Sequence, residues 1–197
     1  MHLAKKIYCR IFQKCFHLAL PLLPYREPEI LPNMEAVAKL LEKKHISRIL
    51  IITDTGIASL GLMNPLLSAL KNHHVQAVIY KDTVANPTIT NVEEARTCYL
   101  KNKCQAIIGF GGGSSMDCAK IAAARIAKPR QSVSKMRGIL KIHKKLPLLI
   151  AIPTTAGTGS ETTLAAHADK ECNPLYPVPK LMDAKELEKM YEVVAGR

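Results

Sequence analysis

The chain has 197 residues, 48% of them hydrophobic, with 12 Pro and 10 Gly. That allows one domain with a buried core plus a fragment of another, and it excludes wholesale disorder or two complete α/β domains. Net charge is +12, but Trp is absent and aromatics make up 5%, which argues against a stacking-based binder of RNA or single strands.

Residues 1 to 20 place Leu3, Ile7, Ile11, Cys15, Leu18 and Ala19 close to helical spacing, and Pro21 and Pro24 end the segment. A basic amphipathic helix of this kind lies on a membrane or caps a domain, and capping is the favoured expectation. Lys5, Lys6, Arg10 and Lys14 break up any signal-peptide core, and no apolar run has the length of a membrane span. Residues 33 to 44 read as a helix with Asn33 as N-cap. A β-α rhythm follows. Strands are predicted at 48–54, 75–80, 105–109 and 146–152. Helices are predicted at 57–72, 91–101 and 114–127. The order predicts an α/β fold, a Rossmann-like parallel sheet with flanking helices, whose ligands bind at the carboxyl ends of the strands. After Ala166 the chain turns proline-punctuated, and a short helix is predicted from Asp183.

The six cysteines, at 9, 15, 98, 104, 118 and 172, show neither a CxxC pair nor zinc-finger spacing, and read as free thiols in a cytoplasmic protein. No acid stands between Asp117 and Glu161, a stretch holding nine Lys and Arg. Its part from 128 to 145 lacks aromatics and reads as a solvated helix–loop, so no nucleic-acid partner is expected. His73 and His74 end a helix and are read as partners of its C-terminal dipole. Cys118 is read as a small helix residue.

Three strand ends carry chemistry. The third strand runs into Gly109-Phe110-Gly111-Gly112-Gly113-Ser114-Ser115-Met116-Asp117. Glycines let a backbone approach a phosphate closely, and a helix N-terminus offers free N–H groups and a positive dipole end. The pattern approximates a dinucleotide fingerprint and is not a Walker A loop. Asp54 ends the first strand, where a carboxylate can accept bonds from ribose hydroxyls and repel a 2′-phosphate; a helix N-cap is the competing role. The fourth strand ends in Pro153-Thr-Thr-Ala-Gly-Thr-Gly-Ser-Glu161, where hydroxyls can bind ribose or phosphate oxygens and Thr158 with Glu161 would make a capping box. Asn86-Pro87-Thr88 by itself is a turn.

Together these pieces resemble the iron-containing alcohol dehydrogenase family, from about residue 30 to Ala166. The resemblance implies a cofactor, NAD or NADP, with NAD favoured by Asp54. It implies that Asp54 faces the adenosine ribose with Asn86 nearby. Gly111, Gly112, Gly113 and Ser114 would hold the pyrophosphate. Thr154, Thr155 and Thr158 would line the adenine and ribose side, with Ser160 among the cofactor-binding residues. Asp117 would sit near the nicotinamide.

The family's second, all-helical domain supplies a divalent metal (iron or zinc) through an Asp, a His four residues later and two further His. Here His167 is the sole His beyond residue 143, and no Asp after Glu161 has His at the fourth position. The metal domain is therefore expected to be missing, with neither a catalytic nor a metal-binding residue assigned. The segment from His167 resembles the extreme C-terminus of some family members. The expected organisation is an N-terminal helical segment (1–30), a dinucleotide-binding domain (31–166) and a C-terminal remnant (167–197). The expected function is an NAD(P)-dependent alcohol–aldehyde/ketone oxidoreductase, acting on a small alcohol or aldehyde in the intact family and inactive or impaired here. The alternatives are a non-catalytic nucleotide-binding fragment or, less favoured, a basic nucleic-acid module. Loss of a covering domain would favour homo-oligomers. No membrane partner is expected.

Overall fold

The computed structural model describes residues 3–19, 29–136, 142 and 144–155. Thr158, Ser160 and Glu161, the middle of the basic run and the whole of 167–197 lie outside the described residues. The chain divides into two compact units, residues 29–164 and residues 1–28 with 165–197.

In the smaller unit the described element is a helix, α1 (Leu3–Ala19). Cys9 and Gln13 on it are buried, whereas Ile7, Tyr8, Ile11 and Leu18 are exposed.

The larger unit begins with α2 (Met34–Lys43), whose N-cap Asn33 accepts a bond from the Ala36 amide through its side chain at 2.9 Å. Then come β1 (Arg48–Ile52), α3 (Thr55–Ser59), α4 (Asn64–Asn72), β2 (Gln76–Tyr80), α5 (Ile89–Lys101), β3 (Ala106–Gly111), α6 (Gly113–Ala127), a 3₁₀ turn (Val133–Met136) and β4 (Leu148–Pro153). The four strands are all parallel, in the order β2-β1-β3-β4.

Alternation along β1 builds both faces of the core. Ile49 and Ile51 point into a cluster with Val37, Leu41, Leu66 and Leu70 of α2 and α4. Leu50 and Ile52 point into a cluster with Val92 and Ala95 of α5 and Ala119, Ala122 and Ala123 of α6. A strand buried on both faces is therefore apolar at every position, which is why Ile49 to Ile52 read as one run. The small residues on α6 let it lie close to the sheet. Gly109 completes that approach, since a Cβ there would stand 3.0 Å from the Ala119 Cβ and 3.1 Å from the Met116 Cα.

Several element ends differ from the sequence prediction. The helix predicted over 57–72 is two helices, because Gly61 takes a left-handed φ of 69° and Pro65 sits in the first turn of α4. α5 starts earlier than predicted, at Ile89. Thr88 and Asn91 cap it reciprocally, so the Asn86-Pro87-Thr88 turn doubles as its N-terminus. β1 ends at Ile52, and Asp54 is already the N-cap of α3. β3 runs on to Gly111, two residues past its predicted end, and β4 starts later than predicted, at Leu148.

His73 caps the end of α4, as its place in the sequence suggested, and also bridges two acids of α2. Its ring nitrogens lie 2.7 Å from Glu35 Oε1 and 2.7 Å from Glu42 Oε2. At the far end of α6, Arg125 is buried. It pairs with Glu93 of α5 and donates to the carbonyls of Lys128, Pro129 and Gln131 at 3.0, 3.1 and 2.7 Å.

Candidate functional site

The strand order sets where to look. β2 lies on one side of β1 and β3 on the other, so successive connections diverge between β1 and β3 and leave a crevice outside their carboxyl ends. The register pairs Ile52 with Gly109, which brings Asp54 level with Gly111. Pairing also continues past the strands. The Thr53 amide donates to the Tyr80 carbonyl and the Thr154 amide to the Gly111 carbonyl, both at 2.9 Å. The four strand ends thus form one edge.

Asp54 is half-buried at the mouth of the crevice. Its Oδ1 accepts the Ile57 amide at 2.9 Å, fixing the N-terminus of α3. Its Oδ2 accepts the Ser115 hydroxyl across the crevice at 3.4 Å. Each oxygen therefore has one protein donor and keeps a lone pair for another. The N-cap role is the one observed, and that bond holds the carboxylate facing the glycine turn.

The turn itself is built for close approach. Gly111 takes φ +140°, and a Cβ there would lie 2.8 Å from Ser115 Oγ and 3.4 Å from Asp54 Oδ2. The N-cap of α6 is Gly112, which supplies no side-chain acceptor. Among the described residues no side chain caps the first-turn amides of this 15-residue helix. Such a helix start can hold an anion through backbone alone. The Ser114 hydroxyl accepts the Asn86 amide at 3.3 Å, tying the turn after β2 to the same helix start. Asn86 has a left-handed φ of 55° and is exposed.

Thr155 packs against Gly112, 3.5 Å from where its Cβ would be. The Thr154 hydroxyl is buried and has no partner among the described residues. A buried hydroxyl without a bond costs stability, and a ligand oxygen at this edge would satisfy it. Asp117 lies one turn along α6 from Gly113. Burial raises its carboxyl above the ordinary aspartate value, and Lys120, 3.5 Å away, works in the opposite direction. The Cys118 thiol is fully buried and pushed up to about 11 by that burial, as befits a packing residue rather than a nucleophile.

The structure therefore gathers Asp54, Asn86, Gly111, Gly112, Gly113, Ser114, Thr154 and Thr155 along one edge, with Asp117 a turn away. Thr158 and Ser160 lie outside the described residues. Sequence reasoning missed Ser115. It is 1% exposed and is the side chain that joins the β1 acid to the β3 turn. Its one trace in the sequence is that a second Ser follows the glycines.

The chain is similar to known proteins in sequence and in fold. The family model described as iron-containing alcohol dehydrogenase matches residues 32–174. A methanol:N,N-dimethyl-4-nitrosoaniline oxidoreductase of Rhodococcus erythropolis is 41% identical over 116 residues, covering 58% of this chain and 27% of its own. Alcohol dehydrogenase 4 of Schizosaccharomyces pombe is 34% identical over 134 residues, covering 68% and 32%. Among solved structures, an alcohol dehydrogenase from Oenococcus oeni superposes with a TM-score of 0.61 at 33% identity, covering 65% of this chain and 34% of its own. A sulfoacetaldehyde reductase from Bifidobacterium kashiwanohense, solved in complex with NAD+, superposes with a TM-score of 0.56 at 29% identity, covering 67% and 35%. The chain spans about a third or less of the length of these relatives.

Proposed function

The chain belongs to the iron-containing alcohol dehydrogenase family, and from that premise we propose that residues 31–166 bind the nicotinamide dinucleotide of an alcohol–aldehyde/ketone oxidoreductase. The observation that carries this reading is the junction of Asp54, Ser115 and Gly111 at the crevice between β1 and β3. A bound dinucleotide supplies hydride transfer at its nicotinamide ring. Everything else is the work of this chain's own residues. The amides of Gly112, Gly113 and Ser114 donate to the diphosphate oxygens, helped by the dipole of α6. Asp54 accepts hydrogen bonds from the ribose hydroxyls and disfavours a 2′-phosphate, which selects NAD over NADP. The Thr154 hydroxyl takes a ligand oxygen as its missing partner. Asp117 stands at the nicotinamide end of α6.

The family's metal does not fit what is described. Among the described residues no three His, Cys, Asp or Glu side chains gather where an ion could bind. No Asp after Glu161 has His four residues on. The share in the reaction that the described residues support is therefore cofactor binding. The purified chain, given NAD+, a primary alcohol and iron(II) or zinc(II), is expected to bind the dinucleotide and form no NADH. Metal-dependent NADH formation would overturn the inactivity.

A further inference from the structure

We infer that α1 is an in-plane membrane anchor for an anionic lipid surface. A capping helix turns its apolar side to protein and its charged side to water. α1 departs from this by leaving an apolar stripe in water as well. Its buried positions are Cys9 and Gln13, while Ile7, Tyr8, Ile11 and Leu18 are 51 to 81% exposed. At about 100° per residue, Ile7, Ile11 and Leu18 share one narrow stripe, with exposed Cys15 and Tyr8 along its edge. Lys14 and Arg10, both exposed, border that stripe on its other side. Four large apolar side chains left in water on one face call for a partner.

Charge says which partner. No Asp or Glu precedes Glu27, whereas Lys5, Lys6, Arg10, Lys14 and Arg26 all do. An apolar stripe flanked by cations matches the boundary between acyl chains and anionic headgroups, where such a helix lies flat with its apolar face sunk about 5–10 Å. It does not span: its 17 residues reach about 25 Å, and no described helix is apolar enough to cross a bilayer. Each basic residue near such a surface adds about a fivefold factor in affinity, so binding is steeply salt-dependent.

The test is co-sedimentation of the full 197-residue chain with vesicles of phosphatidylcholine, alone or mixed with phosphatidylglycerol. The expected result is binding to the mixed vesicles, weakening with added salt, and little binding to phosphatidylcholine alone. Ile11→Glu with Leu18→Glu is expected to lower binding about tenfold or more, because both apolar anchors become charges that the lipid repels. Lys14→Glu is expected to weaken binding to the mixed vesicles while leaving the weak binding to phosphatidylcholine alone unchanged. All three positions are exposed, so far-UV circular dichroism and dinucleotide affinity should not move. Wild-type protein that stays in the supernatant at low salt overturns the inference. So does an Ile11→Glu/Leu18→Glu variant that still sediments like wild type. Concentration-dependent dimers that this variant abolishes, with no vesicle binding, would show instead that the stripe joins two copies of the chain.

Discussion

Replacing Gly111 by Ala tests the site at its tightest point. Two costs add. A residue with a Cβ held at φ +140° is strained by about 1–3 kcal/mol. Its Cβ also lands 2.8 Å from Ser115 Oγ, so the hydroxyl must swing away from Asp54 Oδ2. The bond lost is long, 3.4 Å, so its worth is near the low end for a charged acceptor, about 1.5 kcal/mol. The expected loss is about 2.5–4.5 kcal/mol of folding stability, read as a lower urea midpoint. Far-UV circular dichroism is the probe, since the chain has no Trp. Gly112→Ala is the control. Gly112 has φ −80°, and its Cβ would meet nothing nearer than Thr155 Oγ1 at 3.5 Å, so only a poorer N-cap remains, worth about 1 kcal/mol. A cycle with Ser115→Ala isolates the clash, because Gly111→Ala should cost less once the hydroxyl is gone. Equal losses for the two glycines, or a Gly111→Ala variant as stable as wild type, would refute the reasoning.

Asp54→Asn should keep the N-cap of α3 and thus the stability, since Asn caps as well as Asp, while NADPH gains on NADH in competition titrations; an unchanged ratio would contradict the ribose role. Ser115→Ala should weaken NADH binding through a freer Asp54 carboxylate and narrow the NADH/NADPH difference, which a loss of packing alone would not do. His73 has its pKa raised, first by the hydrogen bond to Glu35 and next by that to Glu42, so its contribution is full below the ordinary value of about 6.5 and is lost as pH rises through the higher folded value. His73→Gln should therefore lower the urea midpoint more at acidic-to-neutral pH than in alkali, and equal shifts at both would count against the bridge. Arg125→Ala should cost about 2 kcal/mol, at or below the low end for a broken buried pair because Glu93 is partly exposed; parity with wild type would show that the Arg125 bonds to Lys128, Pro129 and Gln131 do not hold the end of α6.

Much of this was legible in the sequence, for physical reasons that can be named. Ile49 to Ile52 read as a doubly covered strand because each of them is buried, two to each face. The Gly111–Gly113 turn was legible because Gly111, at φ +140°, takes a backbone that favours glycine. What escaped depends on partners distant in the chain. Ser115 meets Asp54 across 61 positions, a contact no local pattern records. His73 meets Glu35 and Glu42 only because α2 and α4 share one face of the sheet. The break between α3 and α4 was signalled by Gly61 and Asn64-Pro65, and the apolar spacing across them hid it. Helical spacing in α1 gave a stripe but no direction, and only exposure shows that the stripe faces water.

Fluorescence titration of NADH into the purified chain tests the central claim most directly, and with no Trp in the chain the nicotinamide signal is read without indole emission. The account predicts saturable one-to-one binding that NAD+ displaces and that Gly111→Ala weakens, because its Cβ displaces the Ser115 hydroxyl that holds Asp54. No saturation at millimolar NADH, or binding that Gly111→Ala leaves untouched, would contradict it.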